Sequence, residues 1–210
     1  MTSFNYEQGS AEWFQARCGR ITASRIADVM GKLKSGSYSS KRDDYLWELV
    51  EERLTGAPNS RFVTAAMQHG IDTEPEAKEF FSGAYDCEIL PVGFVPHPDM
   101  EFAGASPDGL IGVEGIVEVK CPTTKVMLQT IKSNVPDQRY VLQVQWQMAC
   151  LKSNYAWIVY YDNRLPLEMR MKRFLVERND DLITEIESEV AAFNSLINET
   201  ILSLKESGNE

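Results

Sequence analysis

A long amphipathic helix is the clearest prediction from the pattern of apolar and polar positions. From Asp180 to Leu204, apolar residues recur at spacings of three and four, which places them on one stripe of an α-helix. The same period, with capping and breaking residues, predicts shorter helices elsewhere. The first of these helices begins after Ser10, which is its predicted N-cap. The others cover Thr22 to Met30, Asp43 to Leu54, Pro58 to Phe81, Val126 to Ile131, and Tyr140 to Leu151. Within the helix from Pro58 to Phe81 we expect an interruption near Gly70 and Pro75.

Short apolar runs separated by prolines and glycines predict β-strands in the middle of the chain. The runs are Ile89 to Val95, Phe102 to Ala105, Ile116 to Val119, Tyr155 to Tyr161 and Leu167 to Phe174, and we expect the last two to pair. Because helical segments flank these strands, the class is α/β or α+β. The Ser- and Gly-rich basic stretch from Lys32 to Ser40 predicts a mobile loop.

Composition indicates an ordinary globular protein. The 210 residues predict one domain over positions 1–210, and contents of 43% hydrophobic and 25% charged residues exclude a disordered or low-complexity chain. The four cysteines form no Cys-x-x-Cys pair and indicate free thiols, and two histidines are too few for a histidine-rich metal site. We see no signal peptide and no apolar run of membrane length, so we expect a cytoplasmic protein without a membrane partner.

Charge divides the chain into regions of opposite sign. Overall, 31 acidic residues outweigh 21 basic ones, and the net charge of −10 excludes a uniformly basic nucleic-acid binder. From Arg17 to Arg42, however, seven basic residues accompany one acidic residue, whereas Glu177 to Glu210 contains nine acidic and two basic residues. The N-terminal region is therefore basic although the chain as a whole is acidic, and we expect the acidity on the outer face of the C-terminal helix.

Two carboxylates and a lysine come together in the predicted sheet. Asp108 lies in a Pro-Asp-Gly turn between two apolar runs, and Glu118 and Lys120, two residues apart on the next strand, point to the same face. One interpretation is an ordinary hairpin with a solvated face. The β-branched residues Ile116 and Val117 favour a buried strand instead, and charged residues on a buried strand need a reason.

The chemistry of this set suits metal-assisted reaction at a phosphate. Carboxylates, together with the carbonyl of Val119, are hard oxygen ligands for one or two divalent cations. Such cations lower the pKa of bound water and stabilise a leaving oxygen. The ammonium group of Lys120 either positions the attacking water or offsets charge in the transition state.

Four motifs in a fixed order give the chain a family resemblance. The spacing Pro-Asp, nine residues, Glu-Val-Lys is similar to the PD-(D/E)xK nuclease core. The surrounding motifs resemble those of the family of phage lambda exonuclease and YqaJ-type viral recombinases. They are Trp13 to Ser24, Gly70 to Ala77, Ser106 to Leu110 with Glu118 to Pro122, and Gln143 to Gln145. The resemblance runs from about Trp13 to Glu177.

This resemblance implies both a fold and an activity. The implied fold is α/β, with a central mixed β-sheet flanked by helices, like that of restriction endonucleases. The implied activity is Mg²⁺-dependent 5′→3′ digestion of one strand of linear double-stranded DNA to mononucleotides, which leaves a 3′ single-stranded overhang for recombination. The resemblance implies two Mg²⁺ ions per active site, and Mn²⁺ is the expected substitute for Mg²⁺. The resemblance also implies a ring-shaped homotrimer and a partner protein that anneals single strands.

The resemblance assigns roles to individual residues. The implied catalytic residues are Asp108, Glu118, Lys120, Gln143 and Glu74, and the implied metal ligands are Asp108, Glu118, Val119 and Glu74. The implied contacts to the 5′-phosphate and the DNA are Arg17, Ser24, Ser106, Lys125 and Met67. General chemistry agrees in two cases, because an arginine fork binds phosphate and the first turn of a helix favours an anion near Ser24.

Simpler interpretations exist for several of these residues. Arg17 is otherwise a surface arginine, Ser24 a helix-start serine, Glu74 a solvated glutamate, Gln143 a solvent-facing residue and Met67 a core methionine. Gln147, one turn after Gln143, competes with it for the site role. The sequence also departs from the family at Ala65, where a lysine is expected, and offers only Asp99 near an additional acidic position.

Two other functions stay open. An endonuclease on the same fold would cut a covalently closed circular duplex, which an exonuclease cannot attack. A non-catalytic DNA-binding assembly protein is less consistent with the sequence, because Asp108, Glu118 and Lys120 are all present.

Overall fold

The computed structural model describes residues 6–59 and 64–208, and within them seven α-helices enclose two β-sheets. The strands are β1 (Ile21–Thr22), β2 (Ile89–Leu90), β3 (Val95–His97), β4 (Met100–Ala105), β5 (Gly109–Ile111), β6 (Gly115–Lys120), β7 (Tyr155–Tyr161) and β8 (Met171–Glu177). The helices are α1 (Ala11–Arg17), α2 (Ile26–Met30), α3 (Ser40–Thr55), α4 (Ala65–Tyr85), α5 (Thr124–Ser133), α6 (Gln138–Leu151) and α7 (Asp180–Ser207). The mixed α/β class is therefore confirmed.

The larger sheet has five strands in the order β2-β5-β6-β7-β8. Strands β6 and β7 are parallel, because α5 and α6 form a crossover between them, and the other neighbours are antiparallel. Strand β6 is central and is buried from Gly115 to Val119. This position explains its nearly continuous apolar run and places Glu118 deep in the sheet.

The smaller sheet joins the start of the chain to its middle. Its order is β1-β4-β3, and β1 lies parallel to β4 with Ile21 opposite Ala103 and Thr22 opposite Gly104. Arg17 precedes β1 by a few residues and Ser106 directly follows β4. The pairing therefore brings together two segments that are remote in sequence.

Helix α6 lies between the two halves of the core. Every residue from Gln143 to Cys150 is buried. Trp146 packs into the core formed with α2, α3 and α7, whereas Val144 and Met148 pack over β6 and β7. A helix that is buried on all sides must satisfy its polar side chains internally, which gives its glutamines a structural role.

The helix predictions are confirmed at both ends of the chain. Ser10 caps α1, where its hydroxyl accepts a hydrogen bond from Trp13 N–H at 3.2 Å. The apolar stripe of α7 is buried from Ile183 to Ile197, as its period predicts, and Leu204 at its end is exposed; Asn179 caps that helix. No helix among residues 6–59 and 64–208 is both long and apolar enough to span a membrane.

Three boundaries differ from the sequence predictions. Thr22 belongs to β1, and the helix expected from Thr22 begins instead with a 3₁₀ turn over Ala23–Arg25. The run from Ile89 to Val95 divides between β2 and β3, which lie in different sheets. Residues Leu167–Met169 form a 3₁₀ turn, so the strand that pairs with β7 begins at Met171. The first difference depends on β4, a partner distant in sequence, which local periodicity cannot show.

The helix predicted from Pro58 to Phe81 starts later and has no interruption. Residues 60–63 lie outside the described part of the chain, and α4 runs unbroken from Ala65 past Gly70 and Pro75. The expected break is therefore wrong. Pro75 removes one backbone hydrogen bond, to the carbonyl of Ile71, and both residues are exposed, so water can satisfy that carbonyl.

The loop from Lys32 to Ser40 is anchored to α7. The Lys32 ammonium lies 2.8 Å from Glu189 Oε1, and the Tyr38 hydroxyl donates to Glu189 Oε2 at 2.8 Å. Arg42 also reaches Glu189 Oε2, at 3.2 Å. The expectation of acidity on the outer face of α7 is therefore wrong for Glu189, which faces inward and neutralises part of the basic N-terminal region.

Gly104 provides a test of how the smaller sheet packs. A Cβ at Gly104 would lie 2.6 Å from the Val95 carbonyl oxygen and would overlap the Phe94 ring. The Gly104 carbonyl also accepts a hydrogen bond from Trp146 Nε1 at 3.2 Å. We expect Gly104→Ala to lower the free energy of unfolding by about 1–3 kcal/mol, measured by urea denaturation.

The matched control is Gly83→Ala, because Gly83 lies in α4 with open space around it. Alanine is a better helix former than glycine, so this variant should gain up to about 1 kcal/mol. Equal stability of the two variants would contradict the close approach at Gly104.

Candidate active site

The centre of the site is the buried carboxylate of Glu118, which is 3% exposed. Its Oε1 accepts hydrogen bonds from Lys120 Nζ and Gln143 Nε2, both at 2.6 Å. Its Oε2 accepts from Gln147 Nε2 at 2.5 Å. Burial of a carboxylate is costly unless donors replace the lost water, and these three donors do so.

Asp108 lies beside this carboxylate, in the turn between β4 and β5. Its backbone N–H donates to the Val117 carbonyl at 3.1 Å, and its Oδ2 accepts from Val119 N–H at 2.6 Å. Burial raises the pKa of Asp108 well above its usual range, and the nearby carboxylates of Glu118 and Glu74 raise it further. The N–H and C=O of a strand residue face the same edge, so the Val119 carbonyl lies on the Asp108 side of β6.

Lys120 is held as a cation. Burial lowers the pKa of its ammonium group, but the charges of Glu118 and Asp108 outweigh this effect and raise that pKa above its ordinary value. Its Nζ also lies 4.6 Å from the centre of the Tyr140 ring, which favours the charged form. At neutral pH Lys120 is therefore an electrostatic and hydrogen-bonding group rather than a base.

Helix α4 contributes a third carboxylate, Glu74. Its Oε1 forms an ion pair with Lys78 Nζ at 2.6 Å, one turn further along the helix. Burial raises the pKa of the Cys121 thiol to about 12, and Glu74 and Asp108 add to this rise. Glu74 is thus close enough to influence the charges of Asp108 and Cys121.

The donor types and charges of this site fit a hard divalent cation. Within residues 6–59 and 64–208, no three Asp, Glu, His or Cys side chains are already arranged as a ligand set. Nevertheless, Asp108 and Glu118 bring two carboxyl groups to the single positive charge of Lys120, and the Val119 carbonyl adds a neutral oxygen. A bound cation would favour the ionised form of Asp108, whose pKa is raised by burial. Carboxylate and carbonyl oxygens in net negative surroundings are the ligands that Mg²⁺ and Mn²⁺ prefer.

A second group of residues surrounds the hydroxyl of Ser106. Ser106 Oγ accepts hydrogen bonds from Arg17 at 3.2 Å and from Trp13 Nε1 at 3.1 Å. The Arg17 guanidinium also lies over the Trp13 ring, 4.2 Å from its centre. Arg17 is therefore oriented by two groups, which makes a simple surface arginine a poor description.

A cavity of about 890 Å³ connects this group with Glu74. Its lining includes Arg17, Trp13, Glu74 and Met67. Met67 lies in the first turn of α4 and is 46% exposed, so the interpretation as a core methionine is wrong. The cavity is large enough for a nucleotide, and its lining includes both arginine and glutamate side chains.

Three other candidates lie outside this cavity. Ser24 is exposed in the 3₁₀ turn and borders a neighbouring cavity of about 340 Å³ together with Tyr140 and Gln143. Lys125 is exposed in the first turn of α5, and Asp99 is exposed in the turn between β3 and β4. Neither Lys125 nor Asp99 lines either cavity, and a role for them stays a prediction.

The sequence predicts no role for Trp13 and offers Gln147 only as an alternative to Gln143. The structure places both glutamines on Glu118, one on each carboxylate oxygen. Residues four apart on one helix lie on the same face, so the spacing of Gln143 and Gln147 could have predicted that both reach Glu118. The same spacing separates Trp13 from Arg17 on α1.

Comparison with known proteins shows which family the chain belongs to. The model of the YqaJ-like viral recombinase domain matches residues 12–155. The chain is similar to the crystal structure of LHK-Exo, an alkaline exonuclease from Laribacter hongkongensis, with 41% identity, a TM-score of 0.89 and coverage of 95% of this chain and 98% of that one. The same values hold for LHK-Exo in complex with dAMP.

A more distant structure shows the same fold. It is a phage-related exonuclease from Haemophilus somnus 129PT, with 16% identity, a TM-score of 0.67 and coverage of 88% of this chain and 96% of that one. No curated protein matches the chain significantly.

The fold and the site together define a deoxyribonuclease of the alkaline exonuclease type. More particularly, the chain belongs to the family of YqaJ-like viral recombinase domains.

The Gln147 contact provides a test of the site. Gln147→Leu keeps the side-chain volume but removes the donor to Glu118 Oε2. We expect nuclease activity per folded molecule to fall by about 10- to 100-fold, because groups that orient a metal-binding carboxylate have effects of this size. Initial rates on linear duplex DNA measure the change.

The matched control is Gln145→Leu, which removes an equally buried amide from the same helix. Gln145 instead bonds the Glu177 carbonyl at 2.8 Å and the Asn179 N–H at 3.0 Å. Both variants should lose stability, but only Gln147→Leu should lose activity per folded molecule. Equal losses of activity would contradict the orienting role.

Proposed function

We propose that this protein is a Mg²⁺-dependent exonuclease that digests one strand of linear double-stranded DNA in the 5′→3′ direction. It releases mononucleotides and leaves a 3′ single-stranded overhang for recombination. The observation that carries the proposal is the set of Asp108, Glu118 and Lys120, which come together at the C-terminal end of the central strand β6 and the turn beside it. The matches to exonucleases support it.

Asp108, Glu118, the Val119 carbonyl and Glu74 are the residues that would hold the metal. We propose two Mg²⁺ ions per site, with Mn²⁺ as a substitute. When bound, such ions lower the pKa of water and stabilise the leaving oxygen of the phosphodiester.

The protein's own residues supply orientation and charge. Lys120 stays protonated, so its ammonium group donates hydrogen bonds to the attacking water or to a phosphate oxygen. Gln143 and Gln147 keep the carboxylate of Glu118 in one orientation. Because both glutamines are buried, this orientation exists before the substrate binds, which lowers the cost of reaching the reactive geometry.

We propose that Arg17 and Ser106 set the direction of digestion, because they bind the 5′-phosphate at the end of the DNA strand. An arginine that is already oriented by Trp13 and Ser106 is suited to bind a terminal phosphate in a bidentate way. Ser24, Lys125 and Met67 are the further proposed DNA contacts. The relative that was crystallised with dAMP supports a site for a deoxynucleoside monophosphate.

We also propose that the domain works as a ring-shaped homotrimer with an annealing protein as its partner. Family membership supports both statements. Sedimentation equilibrium of the purified protein tests the trimer, and a monomer at micromolar concentration would contradict it.

The catalytic assignment predicts the behaviour of two variants. Asp108→Asn and Lys120→Met each keep the approximate size of the side chain but remove its charge. We expect each to lower the rate of mononucleotide release from a linear duplex by about a thousandfold or more, since charge stabilisation is the main catalytic contribution. Acid-soluble nucleotide release with a Mg²⁺ titration measures this.

A covalently closed circular duplex is the control substrate for the wild-type enzyme. An exonuclease leaves it intact, whereas cutting of the circle would support the endonuclease alternative. Full activity of Asp108→Asn or of Lys120→Met would overturn the catalytic assignment.

The phosphate assignment predicts a separate effect at Arg17. We expect Arg17→Ala to raise KM for 5′-phosphorylated duplex ends by about tenfold or more and to leave KM for 5′-hydroxyl ends nearly unchanged. Lys132→Ala is the control, because it removes one positive charge from the exposed face of α5. Unchanged preference for the phosphate in Arg17→Ala would contradict the assignment.

A further inference from the structure

We propose that Glu52 is a positioning residue for recognition of the 5′-phosphate, because it fixes the backbone that follows Arg17. The inference rests on the proposed function of Arg17. Glu52 lies near the C-terminal end of α3 and lines the same cavity as Arg17.

Helix α1, which carries Arg17 as its last residue, is weakly held by apolar packing. None of its seven residues is fully buried. A short helix of this kind is mobile unless polar contacts anchor it. The position of the Arg17 guanidinium therefore depends on hydrogen bonds made by the residues around it.

Two of these contacts come from the C-terminal end of α3 and meet at Gly19. Glu52 Oε2 accepts a hydrogen bond from Gly19 N–H at 2.7 Å, and Arg53 Nε donates to the Gly19 carbonyl at 2.8 Å. Gln15 Nε2 adds a hydrogen bond to the Gly56 carbonyl at 3.2 Å. The turn after Arg17 is thus held on both sides by consecutive residues of α3.

Gly19 is itself suited to this contact. Its φ of +69° lies in the left-handed region, and a Cβ there would lie 2.9 Å from Arg53 Cγ. The conformation brings the backbone of Gly19 directly against α3. An alanine at this position would push the turn away from both Glu52 and Arg53.

A carboxylate in the wall of a phosphate-binding cavity is electrostatically unfavourable for DNA. Both oxygens of Glu52 are, however, engaged by backbone donors, Gly19 N–H at 2.7 Å and Asn59 N–H at 3.0 Å. This double acceptance explains why a carboxylate stands there. A glutamine offers only one acceptor oxygen, so it would place an NH₂ group against a backbone N–H.

The test compares Glu52→Gln with Glu51→Gln, its exposed neighbour on α3. Each variant is assayed on two duplexes of identical sequence, one with 5′-phosphate and one with 5′-hydroxyl ends. We expect Glu52→Gln to raise KM for the phosphorylated duplex about tenfold, the value of one charge-assisted hydrogen bond, with KM for the hydroxyl duplex and both kcat values nearly unchanged. Glu51→Gln should behave as wild type.

The ratio of the two KM values is measured in one preparation, so partial unfolding of a variant does not affect it. Gly19→Ala is the second variant and should lose the same preference. Equal increases of KM on both duplexes in Glu52→Gln would show a purely structural role and overturn the proposal. An unchanged or lower KM on the phosphorylated duplex would overturn it as well, because repulsion by Glu52 would then dominate.

Arg17→Ala separates the two levels of inference. If Arg17→Ala loses the preference for phosphate and Glu52→Gln keeps it, only the positioning role fails. If Arg17→Ala keeps the preference, the proposed recognition of the 5′-phosphate fails, and the positioning role fails with it.

Discussion

The burial of one carboxylate shapes the centre of this molecule. Glu118 stands on the central strand β6, where an unpaired charge would cost several kcal/mol, and three side-chain donors surround it. Two of these donors are glutamines of α6, so that helix must lie directly over β6. Its other faces are then enclosed by the remaining helices and the smaller sheet. The need of this one carboxylate for hydrogen-bond donors therefore decides which helix occupies the core and how that helix is rotated about its axis.

Local sequence patterns predicted most helices and strands because their apolar periods reflect burial. Helix α7 and strand β7 are examples in which one periodic segment packs against a continuous surface. Prediction failed where the partner is distant. Strand β1 has only two residues and exists because it pairs with β4, and the continuity of α4 through Pro75 depends on which side of the helix faces water. Neither property can be predicted from a short segment of the sequence alone.

The candidate site was predictable in type but not in detail. The spacing of Asp108, Glu118 and Lys120 predicts that these side chains lie together, since residues two apart on a strand share a face, and the structure brings them together. The sequence did not show that Gln143 and Gln147 act on the two oxygens of one carboxylate, or that Trp13 and Arg17 converge on Ser106. Such contacts depend on the rotation of α1 and α6 relative to the sheets. Charge counts likewise could not predict that Glu189 faces inward, because a count of charged residues does not say which way each side chain points.

The parallel pairing of β1 with β4 has a consequence for the order of folding. Arg17 and Ser106 are 89 residues apart, and Glu118 is 29 residues from Gln147. Contacts across such separations carry a large loop-closure cost and form late. A ribosome releases the N-terminal half first, and that half contains neither Glu118 nor its donors from α6. The nascent chain thus exposes its basic segment well before the carboxylates of the proposed active site are assembled, so under the proposed function the capacity to cut DNA arises only when the sheet and α6 are complete.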